Sequence, residues 1–360
     1  MISNKDNKHK KINYKLFIEK KIVFLIGSNL SFYLMTCFIK KFKILDYKII
    51  FFGQGGDKRK PFEDLETLLN ICKINKKNCL IIDHQYSYKY LRMFINRNKL
   101  QSKIKKLIGN GKYLYVTSYN YGLINSLLLQ ILNLKDNYYI IDDGITHWVN
   151  VKNRYNYLKT LLYTIVLRNL IYIPKIRKSN NTQITSLPNI SKNKNKNFID
   201  ISSEYKNFIT DLSKSNKLNI QKNFNVMILC AKNFYYKKGI YNFLIYLRKK
   251  LINDTKNPFN EKNTTFFFKL HPGYENDKDL KHLNLINVSN DSIPIEFYDL
   301  NNIDLILSPI NTSIMYLFHY SLISKKKIYF YNISQTEYKE KLSIAKSLDI
   351  KEFDLSDYKF

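Results

Sequence analysis

A chain of 360 residues with 45% hydrophobic residues exceeds one small core and carries too much apolar content for a disordered protein. Its formal net charge of +30 fits nucleic acid, an anionic membrane surface or an acidic sugar polymer as partner, or simply a composition dominated by Lys, Asn, Ile and Tyr. The lysines are spread along the whole chain without an RNA-recognition or helix-turn-helix signature, which argues against nucleic acid.

Residues 1–20 are charged and lack the apolar segment of a signal peptide. Lys21 to Ile26 reads as a strand, Gly27, Ser28 and Asn29 as a turn, and the residues through Phe42 as a helix. Tyr47 to Phe52, Cys79 to Asp83, Tyr113 to Thr117 and Tyr138 to Asp142 read as further strands. Helices are expected over Pro61–Ile71, Tyr88–Leu107 and Gly122–Leu134. Apolar strands alternating with longer helical patterns are the mark of parallel βαβ units.

The stretch Tyr157–Ile173 is the most hydrophobic, but Lys159, Arg168 and Asn169 interrupt it. It is expected to be an amphipathic helix, since a membrane span needs roughly 20 nearly unbroken apolar residues. A cytoplasmic protein follows, peripheral at the inner membrane at most. From Lys175 to Asn197 the chain turns polar, as a linker or surface loop would. A second α/β pattern has strands at Asn225–Cys230, Thr265–Leu270, Leu285–Val288, Ile303–Leu307 and Lys327–Tyr331. The expected division is a domain over 1–180, a linker over 181–200 and a second domain over 201–360.

Cys37, Cys72, Cys79 and Cys230 form no CxxC pair and read as free thiols in a reducing compartment. The histidines show no metal-binding spacing. Asp277 and Asp279 form an Asp-x-Asp in a charged stretch and read as a solvated loop, so no metal is expected.

Three strand ends carry chemistry. At the first, a strand runs into Asp142, Asp143 and Gly144. A carboxylate at such an edge can take a proton from an attacking hydroxyl, and the glycine leaves room for a sharp turn. Strand alternation lets only one aspartate face the opening; Asp142 is taken as base, with Asp143 bonding the loop backbone, although Asp-Gly alone also fits a plain strand-end turn. At the second, Lys269 and His271 lie two apart in extended chain, on one side, ahead of Pro272. A fixed cation beside an imidazole suits a phosphate leaving group. At the third, Thr312 and Ser313 start a helix, where hydroxyls cap N–H groups and phosphate binds. Glu296, between the last two, is placed to accept two bonds from ribose hydroxyls, although a solvated surface glutamate fits the chemistry equally.

The order of these motifs resembles the bacterial sialyltransferases, with their acid-acid-Gly, His-Pro and paired Ser/Thr motifs. It is most similar to glycosyltransferase family 52 and the capsular polysialyltransferases; Ser292–Phe297 also resembles the Ile-Pro-x-Glu segment of the former. The resemblance implies a GT-B fold, two Rossmann-like α/β domains facing a central cleft, with CMP-sialic acid as donor. It further implies an inverting, metal-independent transfer to a glycan acceptor. By position, Asp142 becomes the base and His271 the acid or electrostatic partner of the departing phosphate. Thr312 and Ser313 hold the phosphate, Pro272 completes the His-Pro pair and Glu296 holds the ribose, while Lys269 is added from strand geometry. The alternatives are a GT-B enzyme using another nucleotide sugar and a non-catalytic basic protein of membranes or polyanions.

Overall fold

The computed structural model of the chain describes residues 15–52, 65–82, 97–118, 128–129, 131–134, 138–142, 182–188, 198–220, 223–230, 239–254, 258–271, 283–288, 293–332, 339–355 and 357. It divides into two compact units, Met1–Tyr205 and Lys206–Phe360, each with its own sheet.

In the first unit, the strands are β1 (Lys21–Ile26), β2 (Tyr47–Phe51), β3 (Cys79–Ile81), β4 (Tyr113–Ser118), β5 (Tyr139–Ile141), β6 (Gln183–Thr185) and β7 (Phe198–Asp200). Their order is β3-β2-β1-β4-β5-β6-β7, and every pairing is parallel. All residues of β1 after Lys21 are buried, as expected of a strand covered on both faces. The helices are α1 (Lys15–Glu19), α2 (Asn29–Phe42), α3 (Leu65–Cys72) and α4 (Arg97–Ile108). The buried residues of α4, Leu100, Ile104 and Ile108, recur every four positions and so lie on one stripe, while its lysines face water. That stripe packs with Val23, Leu25, Ile50 and Ile140 in one apolar cluster. Each fully buried side chain of this size contributes roughly 1.5–3 kcal/mol.

The helix α5 (Ser202–Ser213) leads into the second unit. There β8 (Phe224–Leu229), β9 (Thr264–Lys269), β10 (Leu285–Asn287), β11 (Leu305–Pro309), β12 (Ile328–Tyr331) and β13 (Lys351–Glu352) lie in the order β10-β9-β8-β11-β12-β13. All pairings are again parallel. The helices are α6 (Ile240–Asn253), α7 (Thr312–His319) and α8 (Lys339–Ser347). Phe243, Leu244 and Leu247 of α6 pack on Phe266 and Phe268 of β9 and Leu307 of β11.

Both sheets therefore start from an inner strand, build outward in one direction and then reverse. This is the doubly wound Rossmann order, and two such units on one chain are the composition of the GT-B fold. In sheets of this kind ligands bind beyond the carboxyl ends of the strands where the winding reverses. Those points lie between β1 and β4 in the first unit and between β8 and β11 in the second.

The stretch expected as a linker differs from that expectation. Gln183–Thr185 and Phe198–Asp200 inside it are strands of the first sheet, and the unit boundary falls after Tyr205. Each strand is only three residues long and is set among Asn, Lys and Ser, so the polar average hides the buried Ile184 and Ile199. The stretch 157–173 lies outside the described residues. Among the described residues no helix is long and apolar enough to cross a membrane. Cys37, Cys72 and Cys230 are buried free thiols and Cys79 is partly buried. Burial pushes the Cys72 and Cys79 thiols up to about 12.

Candidate functional site

In the first unit the polar groups gather where β1, β4 and β5 end. The turn after β1 is tied to β4 by the Gly27 amide donating to Ser118 Oγ at 2.9 Å. Ser28 caps α2, its hydroxyl accepting from the Ser31 amide at 3.1 Å. Ser31 Oγ in turn donates to the backbone carbonyl of Asp142 at 2.9 Å. A cap residue thus positions the start of the helix, and the helix positions the acid.

The Asp142 side chain is 0% exposed. Gln183 Nε2 donates to its Oδ1 at 2.7 Å, and the Thr185 hydroxyl donates to its Oδ2. The Leu187 amide donates to the same Thr185 oxygen at 3.1 Å, so the one hydroxyl proton of Thr185 is committed to Asp142. Gln183 Oε1 is buried and, among the described residues, has no hydrogen-bond partner. The sequence reading placed Asp142 at an open strand edge; it sits instead inside, clamped by two side chains from the neighbouring β6. Gln183 and Thr185 were missed because they lie 41 and 43 residues away in the stretch read as a linker. Asp143 and Gly144 lie outside the described residues.

In the second unit Lys269 is the last residue of β9 and His271 follows two residues later. Both are partly buried. Lys269 Nζ donates to the Val288 carbonyl at 3.0 Å, just beyond β10, and lies 5.5 Å from the centre of the Tyr298 ring. Pro272, Asp277 and Asp279 lie outside the described residues. Among the described residues no three His, Cys, Asp or Glu side chains cluster so as to hold a metal ion.

Glu296 sits in a 3-10 turn, Ile295–Phe297, and is only 3% exposed. The reading of a solvated surface glutamate therefore does not hold. Burial pushes its carboxyl above the ordinary carboxylate range, against opposing contributions from its own amide, the Ser313 hydroxyl and the Lys269 charge. The Ser313 hydroxyl is close enough to favour the charged carboxylate, and among the described residues Oε2 has no hydrogen-bond partner. A buried carboxylate oxygen left without a donor costs about 1–3 kcal/mol.

The start of α7 differs from expectation in one respect. Asn311, rather than Thr312 or Ser313, is the cap, its side chain accepting from the Ile314 amide at 3.0 Å. Thr312 and Ser313 are the first two helical residues. With the cap supplied by Asn311, the Ser313 hydroxyl is free to serve Glu296, and the helix start offers an anion its backbone N–H groups. Lys269, Glu296 and Ser313 are thus brought together at the carboxyl edge of the second sheet, on β9, the 3-10 turn and the helix that follows β11.

No known family's sequence profile matches the chain, and no curated protein sequence matches it to a significant degree. Among solved structures it is similar to the UDP-N-acetylglucosamine 2-epimerase of Rickettsia bellii, at 12% identity and a TM-score of 0.49, covering 91% of this chain and 87% of that one. It is also similar to residues 113–497, the GT-B domain, of the Photobacterium damselae sialyltransferase, at 10% identity and a TM-score of 0.47, covering 92% and 97%. The UDP-GlcNAc 2-epimerase of Methanocaldococcus jannaschii is similar at 11% identity and a TM-score of 0.48, covering 94% of both chains. Likenesses this distant assign no activity.

Proposed function

We propose that the chain is an inverting, metal-independent glycosyltransferase that moves sialic acid from CMP-sialic acid to a hydroxyl of a cell-surface glycan. The observation that carries the nucleotide part is the buried Glu296 carboxylate with one oxygen awaiting a donor. It lies beside a lysine and a helix start, at the edge where doubly wound sheets take ligands. A ribose diol supplies the missing donors, and the phosphate beside it is met by Lys269 and the first amides of α7. The order of the acid, His-Pro and Ser/Thr motifs favours CMP-sialic acid among nucleotide sugars.

In this reading Asp142 takes the proton of the acceptor hydroxyl as that oxygen attacks the anomeric carbon. The bond from that carbon to the phosphate oxygen breaks, and its electron pair leaves with CMP. His271 protonates or polarises the departing phosphate, while Lys269, Thr312 and Ser313 hold it. Gln183 and Thr185 are positioning residues: they fix the Asp142 carboxylate from β6. Asp143 and Gly144 support the strand end and Pro272 fixes the backbone after His271.

Release of CMP from CMP-sialic acid, compared with nucleotide release from uridine-linked sugars, tests the donor. Turnover of uridine-linked sugars alone would move the chain to another GT-B transferase. His271→Ala should lower turnover by roughly 100-fold or more, and an unchanged rate would remove the histidine from the mechanism.

A further inference from the structure

Among the described residues, the large apolar side chains that stand exposed are Ile18, at 63%, and Leu45, at 93%. Both lie at the amino edge of the first sheet, Ile18 in α1 just before β1 and Leu45 in the turn that enters β2. In a parallel sheet every turn entering a strand falls on the same edge. The order β3-β2-β1-β4 therefore sets four such turns side by side, about 4.8 Å apart per strand.

The turns share a construction. Helix α2 ends on Lys43 with φ 50°, and α3 is followed by Lys73 with φ 55°. In each, the next isoleucine is buried, Ile44 at 4% and Ile74 at 8%, and its amide bonds back to the helix, Ile44 to the Ile39 carbonyl and Ile74 to the Leu69 carbonyl. This left-handed helix ending anchors the turn and throws the following residue outward; in the first turn of the pair that is Leu45.

Around these tips lysines outnumber acids. Lys20 and Lys21 at β1, Lys43 at β2, Lys73 and Lys77 at β3 and Lys112 at β4 are all exposed. The acids among them are Glu19, Asp46 (paired with Lys21 at 3.1 Å) and Glu66 (paired with Lys76 at 3.4 Å).

We infer that this edge docks the protein onto an anionic lipid bilayer, with Leu45 and Ile18 entering the headgroup layer and the lysine row meeting the lipid phosphates. An aliphatic tip on a rigid turn gains by leaving water for the acyl boundary, and lysine stems reach along that boundary with their ammonium groups in the headgroups. A soluble polyanion would draw on the lysines and leave Leu45 and Ile18 in water; these turns offer it neither an arginine fork nor an exposed aromatic face to stack on. The inference is independent of the transferase reading. The surface lies at the edge of the first sheet opposite the strand ends that carry Asp142.

The test is co-sedimentation of the full chain with phosphatidylcholine vesicles containing about one-third phosphatidylglycerol, and with pure phosphatidylcholine vesicles. Binding is expected to the first and not to the second. At roughly fivefold per lysine near the surface, Lys43→Ser, Lys73→Ser and Lys77→Ser together should weaken it on the order of 100-fold. The same number of exchanges in the second unit, Lys206→Ser, Lys249→Ser and Lys346→Ser, should change it little. Leu45→Ser should weaken vesicle binding on the order of tenfold while leaving heparin binding unchanged. All these positions are exposed, so the variants should fold, which a circular-dichroism melt verifies. No binding to the mixed vesicles, equal losses in the two triple variants, or vesicle binding indifferent to Leu45 would each overturn the proposal. The last of these, with strong heparin binding, would make the edge a site for soluble polyanions.

Discussion

Ser313, in the first turn of α7, favours the charged form of the Glu296 carboxylate, which lies within a 3-10 turn on a different segment of the second unit. The capping duty at this helix start falls to Asn311, whose side chain accepts from the Ile314 amide at 3.0 Å. Glu296 is itself buried, and its Oε2 has no hydrogen-bond partner among the described residues. This carboxylate sets the ligand chemistry expected at this edge: a neighbouring pair of hydroxyls, followed by a phosphate.

Glu296→Gln should weaken CMP binding about tenfold, the effect of removing one charge-assisted hydrogen bond, while a small isosteric change leaves the fold intact. Titration calorimetry with CMP reads it. Unchanged affinity would remove Glu296 from the nucleotide site.

The same carboxyl gives a pH dependence whose sign is fixed. Burial raises its folded value above the model-peptide value of 4.5, so between the two the folded state binds the extra proton. Stability from this group is present below about 4.5 and is lost as pH rises through the higher folded value. CMP binding runs the opposite way, because only the ionised form accepts both ribose hydroxyls. Thermal melts of wild type and Glu296→Gln should therefore converge at low pH and diverge in favour of the variant at high pH. The wild-type affinity for CMP should rise over that window and the variant's should stay flat.

Much of the fold is legible in the sequence because parallel strands buried on both faces are runs of Ile, Val, Leu and Phe that composition exposes directly. Lys21–Ile26 was expected and found with the same bounds. The strands Gln183–Thr185 and Phe198–Asp200 escaped notice because three residues carry too little apolar signal within a stretch dominated by Lys and Asn. The same omission hid the clamp on Asp142, since Gln183 and Thr185 belong to one of those strands. At the second site the residue types were readable but their partners were not. Nothing local indicates that Asn311 would cap the helix, that Ser313 would turn to Glu296, or that Val288 would receive the Lys269 ammonium at 3.0 Å. Such contacts depend on strand order, which periodicity does not encode.

Lys269→Met should act at a distance as well as directly. The ammonium is one of the groups that oppose the upward shift of Glu296, so its loss should move the pH midpoint of CMP binding upward. Turnover should fall by at least tenfold, as a phosphate-facing cation is removed. The ammonium lies 5.5 Å from the centre of the Tyr298 ring; methionine removes that charge and keeps a chain of similar length. A midpoint that stays in place would mean that Lys269 does not influence Glu296.

Asp142→Asn tests the base and its clamp together. The substitution keeps the shape but turns one oxygen into an NH2, which must then face the Gln183 amide or the Thr185 hydroxyl, both donors in the native arrangement. One buried donor is left facing another, at a cost of about 1–3 kcal/mol in stability, read as a lower melting temperature. Transfer should be abolished while CMP affinity, which belongs to the second unit, is kept. Thr185→Val separates the two roles: it removes the donor without touching the carboxylate, so a positioning residue predicts a loss in kcat and a shifted pH profile with Asp142 intact. Should Asp142→Asn lower only the melting temperature and leave transfer in place, Asp142 would be a buried brace for the strand end. Asp143→Asn, assayed beside it, would then be the variant expected to lose transfer, as the other carboxylate of the acid-acid-Gly motif.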